Sequence, residues 1–489
     1  MKKKEFAKNI LFIQNNIINE SFVLCDIISF LKSNDHKVEL LIANTEKNLL
    51  KRAIRFNPDL IILPCPLADK KWYYEISKEL KNIMDCKVLF WGSLATFYPQ
   101  DILLDSKADF ICRGEGEYAI NELAQNLNKP ENYKNILNLG FIFEGKIIIN
   151  PLRKLVENLD ELPMPDRSFY FRHNLIRNLN MRRFITSRGC TELCSACWNN
   201  SINNVYDNPP NFYRRKSADR VINEILEVTV NYKTTSVHFS DDLFVQRNSK
   251  EWLSDFLTKY RKKVGIPFSC NIRPDLIDEE LIVMLSEANC RAVAMSIESG
   301  CQMLRNKKLN KKITDDDIIK ASKLLKKYKI KILTFNVMGV PGENIDDIIK
   351  TIELNNKIRS DYTRLNIIFP LPLSDLSKDI SKNHYPVQNI KNLSQIHDQL
   401  ECMVFTSEHI NEYKNIYYLF SLSVRLKLPV QFIKFLIKLP AGFFYKLLWF
   451  INTQLNEKKF FDIDLVSGIN YMINSGGTAK RSENFTSIY

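Results

Sequence analysis

The sequence predicts an α/β protein. An N-terminal doubly wound parallel sheet is followed by a partial β/α barrel and a helical C-terminal region. Three observations carry this. Short apolar runs alternate with helical patterns over residues 1–150, the rhythm of a parallel sheet covered on both faces. A second series of the same kind starts near Arg183, after the linker Leu162-Pro163-Met164-Pro165. Beyond residue 376 the pattern is helical only.

In the first series the strands are expected at Asn9–Gln14, Val38–Ile42, Leu60–Leu63, Val88–Trp91 and Phe110–Cys112. Helices are expected at Phe22–Leu31, Asn48–Arg55, Tyr73–Ile83 and Glu117–Asn126. An antiparallel piece, Gly140–Ile149, turns at Glu144-Gly145. Together these make a Rossmann-like domain over 1–150, with a linker over 151–180. The second series, 181–376, places strands at Arg183–Thr186, Ser236–Phe239, Phe268–Asn271, Ala292–Ile297, Ile332–Val337 and Arg364–Phe369. Helices include Ala218–Val230, Glu279–Glu287, Asp315–Leu325 and Ile345–Leu354. Six βα units fit part of a TIM-type barrel, whose active site lies where strands end and loops begin.

With 45% hydrophobic and 26% charged residues, wholesale disorder is excluded, and 14 Gly in 489 residues exclude collagen-like repeats. The formal charge is +13, but the Lys residues are scattered, so solvated faces are expected rather than a nucleic-acid interface. Eleven Cys without a signal peptide point to a reducing cytoplasm. The apolar stretch Val430–Ile451 is broken by Lys434, Lys438, Pro440 and Lys446, so a spanning helix is not expected. The aromatic, basic stretch 427–456 suits either a cap on the barrel or peripheral contact with an anionic membrane. The cap is the preferred reading, because an open barrel must cover its edges.

The strongest chemical signal is Cys190-Thr-Glu-Leu-Cys194-Ser-Ala-Cys197, in a loop directly after the first barrel strand. Three thiolates on one loop can hold three irons of a 4Fe-4S cluster and leave the fourth open. A structural zinc site needs four closed ligands, and the loop offers three. Polar groups follow at successive strand ends. They are Ser240-Asp241-Asp242, then Cys270 to Asp275 with Arg273, then Ser296 to Gly300 with Glu298, Gly339 to Glu343, and Phe369 to Pro372. Arg214 to Ser217 is read as the opening of the first barrel helix. Each group alone is an ordinary cap or turn. Their order is what points to one ligand site.

The cysteine loop with Ser187-Arg188-Gly189 before it resembles the signature of radical S-adenosylmethionine enzymes, and the landmarks match over about residues 183–376. It departs from that pattern at Ala196, where an aromatic is usual. The resemblance implies a 4Fe-4S cluster on Cys190, Cys194 and Cys197. Asp241 or Asp242 would meet the adenosylmethionine amine, and Arg273 its carboxylate. Ser296 and Glu298 would meet the ribose, and the backbone near Gly339 the adenine. Residues 8–150, with Gly92-Ser93-Leu-Ala-Thr96 and Gly114-Glu115-Gly116, resemble the cobalamin-binding domain that precedes such barrels. The first loop, Gln14–Glu20, has no His, so a cobalt ligand from it is not expected.

This family resemblance implies hydrogen abstraction by a 5′-deoxyadenosyl radical. A methyl group would then pass from cobalamin to an unactivated carbon of a small-molecule, lipid or natural-product substrate. A low-potential flavodoxin or ferredoxin would supply the electron, and no nucleic acid is expected as partner. Oxidative cyclisation or rearrangement with the same cofactors is the first alternative. A non-catalytic corrinoid-binding or nucleic-acid-binding protein is the second. Methylthio transfer is disfavoured, since Cys25, Cys65, Cys86 and Cys112 show no clustered spacing for a second cluster. The substrate is not legible.

Overall fold

The computed structural model describes residues 7–17, 20–383, 385 and 410–461, with side chains up to 456. The first sheet contains β1 (Asn9–Gln14), β2 (Lys37–Ile42), β3 (Leu60–Pro64), β4 (Lys87–Trp91), β5 (Phe110–Cys112), β6 (Leu139–Phe143) and β7 (Lys146–Ile149). Its order is β2-β1-β3-β4-β5-β6-β7. The first five strands are parallel, and β6 and β7 are antiparallel. Ile10 and Phe12 pack on one face of the sheet, Leu11 and Ile13 on the other. Burial on both faces is why these strands read as unbroken apolar runs. Glu144 and Gly145 both have positive φ, as a two-residue hairpin turn requires. The strand order reverses between β1 and β3, so their loops flank the crevice where such sheets bind ligands.

The proline linker is not slack. Arg167 pairs with Glu20 and lies 4.8 Å from the Phe184 ring centroid. Lys32 bonds Asp166 at 2.6 Å.

The second domain contains β8 (Met181–Phe184), β9 (Ser187–Arg188), β10 (Arg214–Arg215), β11 (Ser236–Phe239), β12 (Phe268–Ile272), β13 (Cys290–Glu298), β14 (Lys331–Met338) and β15 (Tyr362–Ile367). Six parallel strands in the order β15-β14-β13-β12-β11-β8 form a half-barrel, open between β8 and β15. Val293, Met295 and Ile297 of β13 face the surrounding helices, while Ala294 meets Leu333 and Tyr362 on the inner face. Helix Ile410–Leu426 packs on β15 and on helix Ile345–Ile358, and covers that edge.

Two local expectations change. Arg214 and Arg215 do not open a helix. They pair with β9 as a ribbon, because Arg214 reaches Glu115 of the first domain. The helix starts after Ser217, whose hydroxyl caps it. A helix at Trp198–Val205 directly follows the cysteine loop. Its four Asn give weak helix propensity, and their side chains are spent on Asp242, Asp375, Asn208 and the Leu373 carbonyl instead.

The domains are locked by a buried ion cluster. The Arg188 guanidinium meets Asp26 at 2.8 Å, Glu117 at 2.6 Å and Glu115 at 3.2 Å, and Arg214 meets Glu115 at 2.8 Å. Burial works against the Arg188 charge, but the three carboxylates outweigh it and raise its pKa. Replacing Arg188 by Leu should cost roughly 3–5 kcal/mol in a denaturant titration, because Asp26 and Glu117 are left buried without Arg188 and only Glu115 keeps a cation, Arg214. Arg188→Lys should recover little of this, since an ammonium lacks the fork that spans three acids.

Candidate active site

The cysteine loop sits at the carboxyl end of the half-barrel. Cys190 is buried, and Cys194 and Cys197 are half-buried. The Glu192 N–H lies 3.4 Å from the Cys190 sulfur, and Asn199 Nδ2 lies 3.8 Å from that of Cys197. Burial raises the Cys190 and Cys197 thiols, and a thiolate at Cys194 would raise both further, so the three sulfurs share one electrostatic neighbourhood. Iron bound to the thiolates removes that penalty. Three thiols on one loop are one ligand short of a closed structural zinc site, and the donor set fits a cluster with one open iron.

The loop is braced from several strands. Asp241 is 2% exposed and accepts the Thr186 N–H at 2.9 Å, the Thr186 hydroxyl at 2.9 Å and the Ser187 hydroxyl at 2.5 Å. Burial raises its pKa, while Arg215 and these donors work the other way. Arg273 is buried too. It bonds Asp275 at 2.9 Å, Glu192 at 3.1 Å and the Lys311 carbonyl at 2.8 Å. Asp242 lies between Asn199, which donates to it at 2.7 Å, and the Cys190 and Cys197 thiols, which its charge raises.

Further round the rim, Glu298 has φ 66 at an irregularity in the β13–β14 register. Its carboxylate meets Lys311 at 2.6 Å. Burial works against the Lys311 charge, but Glu298 and the nearby Cys194 raise its pKa. Ser296 is half-buried. It shares its strand face with Ala294, which lines the inside of the half-barrel. Gly339 adopts φ +89, and its N–H donates to Glu343 Oε2 at 2.6 Å. Burial pushes the Glu343 carboxyl up to about 8 despite that donor, and its Oε1 has no partner.

In the first domain, Gly92 has φ +107, and a Cβ there would meet the Cys65 carbonyl oxygen at 3.1 Å. Its smallness therefore serves the close approach of the loops after β3 and β4. Ser93 accepts the Leu67 N–H at 2.9 Å. Thr96 accepts the Gly114 N–H at 3.0 Å and so ties the loops after β4 and β5. A Cβ on Gly114 would lie 1.9 Å from the Tyr206 hydroxyl, and one on Gly116 would crowd Ile120 and Trp91. Glu115 belongs to the ion cluster. Burial raises its pKa, but Arg188 and Arg214 outweigh this and lower it. His36 is buried at the opposite end of the sheet, with its Nε2 3.0 Å from Asn121. His384, His397 and His409, and Ile18-Asn19 of the first loop, lie outside the described residues.

Several contributors were not legible in the sequence. Trp198 packs edge-on against Phe97 at 5.2 Å, and Tyr206 covers Gly114 and accepts the Glu115 N–H at 3.2 Å. The helix that begins after Cys197 thus forms one wall with the loops after β4 and β5. Among the described residues, its Trp198 Nε1 and Asn199 Oδ1 are buried without a hydrogen-bond partner. Lys311 hides in a Lys-rich run, and only its burial singles it out.

Comparisons with known proteins agree with this layout. Residues 184–354 match the radical SAM superfamily, and residues 25–124 match the B12 binding domain. An uncharacterized methyltransferase of Pyrococcus horikoshii is 27% identical over 381 residues, which is 75% of this chain and 79% of that protein. Cytidylyl-2-hydroxyethylphosphonate methyltransferase of Streptomyces wedmorensis is 22% identical over 62% of this chain and 63% of its own. Among solved structures, the radical S-adenosylmethionine methyltransferase TsrM of Kitasatospora setae, with cobalamin and a [4Fe-4S] cluster bound, superposes with TM-score 0.62. It is 16% identical, covering 78% of this chain and 76% of its own. The cobalamin-dependent radical enzyme OxsB superposes with TM-score 0.67 at 15% identity, covering 97% of this chain and 75% of its own. The two structures establish the fold.

Ala at Cys190, Cys194 or Cys197 should each abolish the iron of anaerobically reconstituted protein, whereas Cys25→Ala should keep it. Iron and sulfide analysis checks this. A second expectation concerns Glu343. Its folded pKa lies near 8, above the ordinary value of 4.5, so the fold binds the extra proton and stability falls as pH rises from about 4.5 through 8. Glu343→Gln should flatten that fall in melting curves taken between pH 6 and pH 9.

Proposed function

The chain belongs to the radical S-adenosylmethionine enzymes that carry a B12-binding domain, and from that premise we propose that it methylates an unactivated carbon of a small-molecule, lipid or natural-product substrate. Its cofactors are a 4Fe-4S cluster, S-adenosylmethionine and cobalamin. The carrying observation is the shared wall. The helix that starts after Cys197 lies directly on the loops after β4 and β5 of the B12-binding domain. When bound, the cluster and adenosylmethionine supply a hydrogen-abstracting 5′-deoxyadenosyl radical, and cobalamin supplies the methyl group.

The chain's own residues then divide the work. Cys190, Cys194 and Cys197 hold three irons. Asp242, set in place by Asn199, accepts from the adenosylmethionine amine. Asp241 has its oxygens taken up by Thr186 and Ser187, so it positions the loop rather than touching the ligand. Arg273 likewise braces Glu192 and the Lys311 backbone, which leaves the carboxylate role open to other groups. Glu298 and Ser296 serve the ribose hydroxyls, and the backbone at Gly339 the adenine. Gly92, Ser93, Thr96, Gly114 and Gly116 shape the wall of the corrin site, while Glu115 locks the domains. The loop after β1, Gln14–Glu20, contains no His, so it would offer a bound cobalt no imidazole.

A low-potential flavodoxin or ferredoxin is the electron donor in this reading. Peripheral membrane contact is supported by exposed Phe432, Phe435, Phe443, Phe444 and Leu447, interleaved with Lys434 and Lys438. Among the described residues no helix is long and apolar enough to cross a membrane.

Reduced protein with adenosylmethionine should form 5′-deoxyadenosine, retain cobalamin with a base-off spectrum, and give a product one CH2 unit heavier than its substrate. His36→Ala should leave that spectrum unchanged. A product lighter by two hydrogens would favour oxidative cyclisation instead. Failure to retain any corrinoid under saturating hydroxocobalamin would remove methyl transfer altogether.

A further inference from the structure

The last described helix is inside out. In Gly442–Phe461, Phe443, Leu447, Ile451 and Leu455 recur at every fourth position, which puts them on one face, and all four are exposed. The buried side holds polar groups instead, Asn452 and Asn456, together with Tyr445. Arg425 donates to Asn452 Oδ1 at 3.0 Å, and Asn452 Nδ2 donates to Ser421 Oγ at 3.2 Å. A surface helix facing water has the reverse pattern. The short helix Val430–Leu436 adds to the apolar surface. Its Ile433 is buried, while Phe432 and Phe435 are exposed and stack with ring centroids 6.5 Å apart. Tyr445 donates to the Leu436 carbonyl at 2.9 Å and joins the two helices, and Phe444 is exposed beside that junction. The four exposed phenylalanines of the described chain all lie here, and Phe443 is 87% exposed. Single exposed apolar residues are ordinary, but a concentration of this kind marks a contact surface.

Charge identifies what that surface meets. From Tyr413 to Asn456 the chain has six cations, Lys414, Arg425, Lys427, Lys434, Lys438 and Lys446, and no carboxylate. Lys427, Lys434 and Lys438 are exposed, and Lys434 is steadied by Asp346 of a neighbouring helix at 2.7 Å. Exposed aromatic rings with lysines between them and no acids suit an anionic lipid surface. The rings enter the boundary of the acyl chains, and the ammonium groups stay with the phosphates. Both signals are needed for stable seating, and both are present.

The same helices are tied to the open edge of the half-barrel. Helix Ile410–Leu426 packs on β15 and against helix Gly442–Phe461, and β15 is one of the two strands that border the opening. We propose that helices Val430–Leu436 and Gly442–Phe461 lie in the plane of an anionic membrane, with Phe432, Phe435, Phe443, Phe444 and Leu447 at the acyl chains, and that the substrate is an amphiphile of that membrane. The assignment rests on the methyl-transfer reading and adds the substrate class to it. No described helix is long and apolar enough to cross the bilayer, so seating in the plane is the geometry that remains. The transfer balances on the cofactors and donor already named. One C–H bond of the amphiphile breaks and one C–CH3 bond forms. Two adenosylmethionines and two electrons from the low-potential donor are consumed. They leave as methionine, 5′-deoxyadenosine carrying the abstracted hydrogen, and S-adenosylhomocysteine.

The test uses full-length protein loaded anaerobically with cluster and cobalamin. Sedimentation with phosphatidylcholine vesicles, with and without phosphatidylglycerol, measures docking. Wild type should bind the anionic vesicles at least tenfold more tightly than the neutral ones. The pair Phe443→Ser, Phe444→Ser should lose about tenfold, and Lys438→Gln about fivefold. Iron content and corrinoid spectrum report that each variant has folded. Methyl-labelled adenosylmethionine is then supplied with vesicles of polar lipids extracted from the source cells. Label should enter the lipid fraction with wild type and fall with the Phe pair, while 5′-deoxyadenosine formed without vesicles stays unchanged. Wild type that binds neither vesicle overturns the proposal, and so does label confined to water-soluble products. Footprinting that finds Phe443 and Phe444 shielded without vesicles assigns the face to the chain's own remaining residues. A dimer that the Phe pair dissociates assigns it to a second copy, and either result overturns the proposal. Wild type that docks but forms no 5′-deoxyadenosine removes the methyl-transfer reading and the substrate class with it, and leaves docking in place.

Discussion

The architecture depends on the Arg188 guanidinium buried among Asp26, Glu115 and Glu117. Arg188 is two residues ahead of Cys190, and the intervening Gly189 has φ +79 with a Cβ position 2.3 Å from the Phe212 carbonyl oxygen. Arg188 is held by its ion pairs, and Gly189 by its close approach to the Phe212 backbone. A contact that orients the first domain therefore also orients the cysteine loop. Buried ion clusters of this kind rarely add net stability over an apolar replacement, because desolvation offsets the attraction. What this one supplies is uniqueness of docking. Burial raises the Glu117 pKa against the pull of Arg188, and among the described residues its Oε2 has no hydrogen-bond partner, so the cluster is not tuned for maximum stability.

The same division between holding and binding runs through the rim. Asp241 and Arg273 are the most buried of the strand-end candidates, and their bonds run back into the chain. Asp242 and Glu298 are less buried, and each meets a neighbouring rim residue, Asn199 and Lys311. A carboxylate with all its lone pairs taken up by donors has little left for a ligand amine. Depth of burial, rather than rank in a motif, is what sets Asp241 and Arg273 apart from Asp242 and Glu298.

Most of the fold was legible because its strands are buried on both faces. Runs such as Leu60–Leu63 and Phe110–Cys112 have no other economical reading. The order of landmarks at strand ends was legible for the same reason. The helix Trp198–Val205 was not, since Asn-rich segments carry little local preference and this one is held by distant partners at Asp242 and Asp375. Arg214 and Arg215 misled because their ribbon is fixed by a residue some hundred positions earlier, Glu115.

That last point bears on how two reactive cofactors are made to cooperate. Transfer between them demands a fixed separation and the exclusion of water, and both are entropic problems solved before the reaction starts. A flexible tether between domains would solve neither. Here the segment after Cys197 becomes a helix whose Trp198 meets Phe97 and whose terminal Tyr206 fills the space over Gly114. The cysteine loop and the loops after β4 and β5 are thus joined by direct packing.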